Sequence, residues 1–374
     1  MYKYTTHFIQ ENVAPKDAEK IVVRDSTDKE ICEIPLGMLK QPTKPKRYSF
    51  LAISDVHIER TESETSKYRT AEADLRRALA YANSNCDFTC VCGDLTSGGL
   101  DSELAKYQGI VDEYATETKP VYAMAGNHES SSRYVTDDLM EKYTGYPLYY
   151  TVSNEPTNED KRNYCNENVG NDVFSMLGYY GMYQEGNGGW RSDEFLSTAE
   201  LQWFYETLEA NRNKRCFVFI HPFPKEHGVG NANNLYTTAL IWKATDGGLG
   251  EAIVNLLTHY KNTIVFHGHS HLRFWMQELA KNANYSSANG YKSVHIPSLA
   301  VPRDKVDGSV LQINEESEGY IVDVYDDCIV LNGRDFVDND KDGHILPIAT
   351  YKIDTTLKTI PANTFTDSTG TITT

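Results

Sequence analysis

The chain runs to 374 residues, 40% hydrophobic and 24% charged, with a formal net charge of −17. This length holds one large domain or two modest ones around a sizeable core, and no apolar run approaches the roughly 18 residues of a membrane span. The acidic balance argues against broad electrostatic binding to nucleic acid or anionic membrane, but not against a small phosphate ester, because bound cations would make a site locally positive.

Residues 1–46 read as an N-terminal β extension or domain remnant plus a linker. Met1 to His7 shows no basic stretch leading into an apolar one, so no signal peptide is visible; a chain trimmed to its mature part would look the same. Two short β-like runs, 21–24 and 30–34, are spaced to pair across the polar turn 25–29, and residues 41–47, with Pro42 and Pro45, form the linker. From Tyr48 strands and helices alternate. Apolar strands are expected at 49–53, 88–92, 120–124, 216–220 and 263–267. Helical spacing covers 67–82, where Leu75, Ala78, Leu79 and Ala82 share a face, and 102–117. Ser197-Thr198-Ala199-Glu200 is a capping-box pattern opening a further helix through Leu201, Phe204 and Leu208. Polar stretches at 151–171 and 178–193 read as long loops, of the kind that form lids or binding walls. Beyond Ser298 the pattern is β-rich, at 319–325, 328–331 and 345–353, and these strands are expected to close the same domain, spanning 47–354. The Thr-rich tail, 355–374, lacks apolar period. This alternation argues for an α/β layered architecture.

The seven cysteines are scattered, without paired CxxC spacing, and Cys90 and Cys92 fall on one face of an expected strand. Free thiols favour a reducing, cytoplasmic setting; the 25 tyrosines and many asparagines would also suit an exported protein whose leader had been removed.

Five of the β-like segments end on metal-binding residue types: Asp55-Val56-His57, Gly93-Asp94, Gly126-Asn127-His128-Glu129, His221, and Gly268-His269-Ser270-His271. At Asp55/His57 and His269/His271 the i, i+2 spacing puts both side chains on one side of an ending strand. Asp94 has two carboxylate oxygens and so can bridge two cations. In open α/β sheets, sites gather beyond the carboxyl ends of strands, where all five clusters would lie. Asp, Asn and His without Cys favour Mn, Fe or Zn over Ca. Two such cations about 3.5–4 Å apart acidify a water and clamp a phosphoryl group for in-line attack.

In order and in full, these motifs resemble the calcineurin-like metallophosphoesterase superfamily, over about residues 48–350. The resemblance implies an α/β fold, a four-layer α/β/β/α sandwich with two central mixed β-sheets. It implies that Asp55, His57, Asp94 and His271 hold one metal and that Asp94, Asn127, His221 and His269 hold the other. His128 would lie beside the ligands, stabilising the transition state or protonating the leaving oxygen. Leu201-Gln202-Trp203-Phe204, residues 319–324 and residues 332–336 also look familial.

The departures narrow the branch. Gly93-Asp94-Leu95-Thr96-Ser97-Gly98-Gly99 lacks the Asp and Arg that protein Ser/Thr phosphatases carry there, and Ser97 stands where purple acid phosphatases place a tyrosine ligand. Glu129 is a candidate to replace the missing Asp behind His128, if its side chain turns inward.

Bland roles compete elsewhere. His267 reads as a core histidine. Arg273, His227 and Arg303 are candidates for phosphate contact, with a surface or structural role favoured. Asp338 to Gly343 imitates the start of an EF-hand loop, but Ala349 stands at the required acidic position, so a polar turn is expected. Asn284-Tyr285-Ser286 is a lone sequon, and the tyrosines at 179–183 serve as substrate wall or packing.

The expected function is a dinuclear metal-dependent phosphoesterase acting on phosphodiesters or small phosphomonoesters by in-line attack of a metal-bridging hydroxide. The alternatives are an inactive metal-binding or scaffold protein of the same fold, or an exported phosphatase acting on cell-surface or lipid phosphates. A small phosphate ester is the expected partner, without general nucleic-acid binding and with the oligomeric state open.

Overall fold

Each central strand of this chain carries apolar residues on both faces, so each must be covered on both sides. The computed structural model shows how. It describes residues 20–24, 30–35, 42–61, 63–130, 134–154, 162–181, 183–184, 190–191, 196–222, 249–274, 284–287, 290–306, 309–312, 316–337 and 344–362. His227 and residues 338–343 lie outside them.

In chain order, the hairpin β1 (Lys20–Arg24) and β2 (Glu30–Pro35) comes first, antiparallel as its spacing predicts. Then follow β3 (Tyr48–Ile53), α1 (Ala71–Asn85), β4 (Phe88–Cys92), α2 (Asp101–Asp112), β5 (Val121–Met124), α3 (Asp137–Thr144), β6 (Tyr149–Ser153), β7 (Asn163–Cys165) and β8 (Val173–Leu177). After the short pair β9 (Tyr183–Gln184) and β10 (Trp190–Arg191) come α4 (Thr198–Ala210), β11 (Cys216–Ile220), α5 (Leu249–His259), β12 (Thr263–His267), β13 (Tyr285–Ser286) and β14 (Lys292–His295). A further pair, β15 (Arg303–Val306) and β16 (Ser309–Gln312), precedes β17 (Glu318–Val324), β18 (Cys328–Asp335) and β19 (His344–Asp354).

Two mixed sheets result. The six-stranded sheet has the order β19-β18-β17-β3-β4-β5, with β3, β4 and β5 parallel and β17 antiparallel to β3. The late β-rich segment therefore closes the same sheet that the first site strand begins. The seven-stranded sheet has the order β13-β14-β12-β11-β8-β6-β7, with β8, β11, β12 and β14 parallel.

Strand alternation sorts the side chains into layers. Leu51 and Ile53 face a core shared with Leu75, Leu79 and Leu104 of α1 and α2, whereas Phe50 and Ala52 face the gap between the sheets. On the other sheet Phe217 and Phe219 face the gap, and Val218 and Ile220 face Phe204 and Leu257 of α4 and α5. The molecule is thus the expected four-layer α/β/β/α sandwich. Aromatic rings fill the space between the sheets, about 10 Å across. Phe50 sits at the centre, with ring centroids of Phe88, Phe174 and Phe217 at 5.4, 5.2 and 5.5 Å. Cys90 and Cys92 lie in the same layer as free thiols.

Several elements differ from expectation. The first helix starts at Ala71 rather than 67, because Ser63 and Ser66 hydroxyls bond backbone N–H groups of Thr65 and Tyr68 and hold turns there. The stretch read as a loop at 151–171 contains the end of β6 and all of β7. These strands are short and interleaved with polar residues; β6 gains its ladder from β8, and β7 pairs in turn with β6 at the sheet edge. The helix α3 was not legible either; it spans 8 residues, capped by the Thr136 hydroxyl and ended by Gly145 at φ 76°.

A buried ionic knot ties the amino-terminal ends of the strands. Arg215, 2% exposed, donates to Asp172 Oδ2 (2.5 Å), Thr355 Oγ1 (2.8 Å) and the Tyr325 carbonyl (2.7 Å). The Tyr48 hydroxyl donates to the same Asp172 oxygen at 2.7 Å, and Arg47 lies 3.4 Å from it. Both sheets and the segment after β19 converge here. Arg215→Ala should lower the unfolding free energy by about 3 kcal/mol, the low end for a broken buried pair because Arg47 still faces Asp172. A urea titration reads this directly, and an unchanged midpoint would show the knot to be dispensable.

Candidate metal centre

Strands β3, β4, β5, β11 and β12 all end at one rim, and the five motifs follow immediately. Two clusters form there. Ligand-type atoms of Asp55, His57, Asp94 and His271 lie within 4.8 Å of one another, as do those of Asp94, His221 and His269. Asp94 is common to both.

The backbone does not hold these residues as a pleated strand would. Asp55 (φ 54°), His57 (φ 54°), Asp94 (φ 49°), His269 (φ 70°) and His271 (φ 59°) are all left-handed. The i, i+2 pairs are thus aimed together by alternating left-handed turns beyond the strand ends, not by the pleat. Such positions cost about 1–3 kcal/mol each for residues other than glycine and persist where surrounding structure enforces them. Here the enforcement is visible. Asp55 N–H bonds the Gly93 carbonyl, Val56 and His57 N–H bond the Asp94 carbonyl, and Gly268 N–H bonds the His221 carbonyl.

Each carboxylate is clamped by one oxygen. Asp55 Oδ2 accepts from His269 N–H (3.0 Å), and Asp94 Oδ1 accepts from His128 N–H (2.8 Å). The other oxygens face the cluster: Asp55 Oδ1 lies 3.1 Å from His271 Nε2, and Asp94 Oδ2 lies 3.1 Å from His221 Nε2. The imidazoles are oriented in the same way. The Nδ1 of His221 meets the Cys92 carbonyl at 2.7 Å and that of His271 meets the Val301 carbonyl at 3.3 Å. A carbonyl only accepts, so each Nδ1 donates and each Nε2 is left to face inward.

Residue size also matters. A Cβ on Gly126 would stand 2.2 Å from Asp94 N, and one on Gly268 would stand 1.9 Å from Ser54 Oγ and 2.6 Å from Asp55 Oδ2. Both glycines let two motifs approach each other.

The donor set fits divalent metal. Asp55 Oδ1, Asn127 Oδ1 and His221 Nε2 are buried without a hydrogen-bond partner among the described residues, an arrangement that is costly unless something else satisfies them. His57 Nε2 and His271 Nε2 face each other at 3.0 Å. The electrostatics are equally tense. Burial opposes the charge of Asp55, yet His271 and His221 hold its carboxyl well below the usual range. Burial likewise opposes Asp94, which His221 and His128 pull down. His221 is pushed up to about 9 against its burial by Asp94 and Asp55, whereas burial and His221 drive His269 down to about 3. All these ligand-type groups therefore compete for few protons in a site that cations would neutralise.

Residues 48–273 match the calcineurin-like phosphoesterase family. The chain belongs to that family. No curated protein matches it in sequence. Among solved structures it is similar to GAP50, described as the anchor in the inner membrane complex of Plasmodium, at 12% identity over 84% of this chain and 90% of that one, with a TM-score of 0.47. It is similar to a predicted phosphoesterase from Streptococcus pneumoniae at 11% identity, over 82% and 97% of the two chains, with a TM-score of 0.35. Vps29 from Entamoeba histolytica, complexed with zinc, is matched at 10% identity over 82% and 99%, with a TM-score of 0.31. Likenesses this distant assign no activity here.

Within this phosphoesterase frame, His128 stands apart. Its ring is half-buried and meets His57 edge-on at 4.6 Å. Its Nδ1 faces the Ser97 carbonyl, and its Nε2 lies 3.9 Å from Asp94 Oδ2. Glu129 does turn inward, but not toward His128: its oxygens accept from Thr96 N–H and Oγ1 and from Gly126 N–H. It braces the two motif loops, and a main-chain carbonyl orients His128 instead. Burial and the nearby charge of Asp94 raise Glu129 to about 7.

Arg273 pairs with Glu316 at 2.6 Å, a structural role. His267 is buried, as expected of a core residue. Tyr179 is packing, 1% exposed, whereas Tyr180 is half-buried against Tyr134. Sequence reasoning missed Ser270 and His295. Ser270 Oγ contacts His295 Nε2 at 2.6 Å beneath the His269–His271 turn and also accepts from Leu272 N–H. No motif marks His295, which arrives from β14. Tyr68 was missed too; its ring stacks on His57 at 4.4 Å.

Two outcomes test this geometry. Gly126→Ala should abolish metal uptake, measured by elemental analysis, while far-ultraviolet circular dichroism stays native. His295→Phe should weaken metal affinity by about tenfold or more, the usual effect of losing a group that orients ligands; unchanged affinity by calorimetry would deny His295 that role.

Proposed function

We propose that this chain is a dinuclear metal-dependent phosphoester hydrolase. The observation that carries the reading is the pair of buried donor clusters sharing Asp94, with His128 Nε2 facing that same carboxylate. In this reading Asp55, His57, Asp94 and His271 hold one cation, and Asp94, Asn127, His221 and His269 hold the other. When bound, such ions supply Lewis acidity that polarises a phosphoryl oxygen and makes water more acidic.

The protein's own groups do the rest. The clamped carboxylates keep Asp55 Oδ1 and Asp94 Oδ2 aimed inward, so little rearrangement is needed when substrate arrives. The Ser97 carbonyl fixes the His128 ring without adding a negative charge, and keeps its Nδ1 proton in place. A proton carried on Nε2 is then available to the departing oxygen of the ester. Half-exposure of His128 lets a substrate reach it, whereas His57 at 0% and His271 at 4% are closed off. The Gly93–Gly99 segment, which lacks the acid and arginine of the protein-phosphatase pattern, supports small esters or diesters over phosphoprotein.

A hydrolysis panel with Mn²⁺, Fe²⁺ and Zn²⁺ tests the reading, using phosphomonoesters, cyclic nucleotides, nucleotide diesters and glycerophosphodiesters. Asp94→Asn should lose metal and activity together. His128→Ala should keep two metals per chain and lose about 10²–10⁴ in kcat, the range for a general acid. A protein that takes up two metals and hydrolyses nothing in the panel would be a scaffold of this fold.

A further inference from the structure

The segment between β14 and β15, residues 296–302, forms neither helix nor strand, yet every residue in it is buried. Irregular backbone inside a protein must find a partner for the N–H and carbonyl groups it hides. This segment finds them on the turns that carry two of the candidate ligands. Leu299 N–H donates to the Ser54 carbonyl at 2.9 Å, and Ala300 N–H donates to the Asp55 carbonyl at 3.4 Å. The Val301 carbonyl accepts from His271 Nδ1 at 3.3 Å. Just beyond, Arg303 N–H opens β15 by donating to the His271 carbonyl at 2.7 Å. Pro297 and Pro302, which have no N–H to satisfy, restrict the backbone at either end.

One side chain joins these contacts. The Ser298 hydroxyl, on a residue 0% exposed, donates to the Asp55 carbonyl at 3.0 Å and accepts from Val301 N–H at 2.9 Å. It therefore links the left-handed residue Asp55 to the residue whose carbonyl orients His271. These two ligands arrive from the ends of β3 and β12, and their facing atoms, Asp55 Oδ1 and His271 Nε2, lie 3.1 Å apart. Both belong to the first cluster and not to the second. His221 of the second cluster is oriented from elsewhere, by the Cys92 carbonyl at the end of β4.

We propose that Ser298 is a positioning residue for the metal of the first cluster, acting through the Asp55 backbone and the Val301 carbonyl rather than by ligation. This rests on the two-metal reading in which Asp55 and His271 are ligands. Without the hydroxyl, the Asp55 carbonyl is left to the longer Ala300 bond, and Val301 N–H loses its acceptor. Both ligands then gain freedom that a bound cation must remove.

The test titrates Mn²⁺ into chelator-stripped wild-type and Ser298→Ala proteins by calorimetry, with elemental analysis to count the bound metal. Ser298→Ala should weaken one of the two Mn²⁺ ions by roughly tenfold, the scale for losing a group that orients ligands, and leave the other at its wild-type affinity. Arg215→Ala is the control for lost stability: it acts at the opposite ends of the strands, and should lower the urea midpoint while keeping both affinities. Wild-type affinity for both ions in Ser298→Ala, equal weakening of both, or the same selective loss in Arg215→Ala would overturn the positioning role and leave the two-metal reading standing. A wild-type protein that binds fewer than two Mn²⁺ ions would overturn that reading, and this proposal with it.

Discussion

Two carboxylates buried at one rim set the terms for the whole structure. Asp55 and Asp94 are at most 1% exposed, and the groups around them are imidazoles rather than lysines or arginines. Removing such charges from water costs several kcal/mol apiece unless an opposite charge follows them. The protein supplies only partial relief: Asp94 and Asp55 push the His221 imidazole up to about 9 against its burial. The same pocket drives His57 and His269 the other way, with burial the largest cause. A site with these contradictory demands is stable in a chain built to place cations there.

The fold accommodates that demand by separating its two ends. At the amino-terminal ends of the strands, Arg215 and Asp172 join both sheets through a buried ionic knot. At the carboxyl ends, polar atoms such as Asn127 Oδ1 remain buried without a partner among the described residues. Between them, rings around Phe50 lock the sheets face to face. The left-handed turns at Asp55, His57, Asp94, His269 and His271 are held by main-chain bonds between neighbouring motifs, such as Asp55 N–H to the Gly93 carbonyl and Gly268 N–H to the His221 carbonyl. The glycines of the motifs serve the same end, since Gly126 and Gly268 allow motif backbones to pass within contact distance of the carboxylates.

Much of this was legible beforehand where local pattern and tertiary role agree. The apolar runs at β3, β4, β5, β11 and β12 had to be strands buried on both faces, and the polar residues at their ends had to meet if the strands lay side by side. The strands β6 and β7 were not legible, because they are short, polar-interleaved and stabilised by neighbours rather than by their own propensity. Nor could the pleat rule be trusted at Asp55 and His57: nothing in a residue's identity announces that a non-glycine adopts φ near 54°.

From sequence alone came the alternation that makes an α/β sandwich, the candidate donor residues Asp55, His57, Asp94, Asn127, His221, His269 and His271, and the departure at Ser97 from the patterns of related branches. These follow from residue type and order, which the chain carries explicitly. Only the tertiary structure decided what orients those donors. Ser97 offers its carbonyl to His128, Glu129 turns to Thr96 and Gly126, and His295 reaches Ser270 from a distant strand. Main-chain carbonyls are present at every residue, and contacts across 25 positions or more depend on where strands are laid in the sheet. That information resides in packing, and no spacing in the sequence records it.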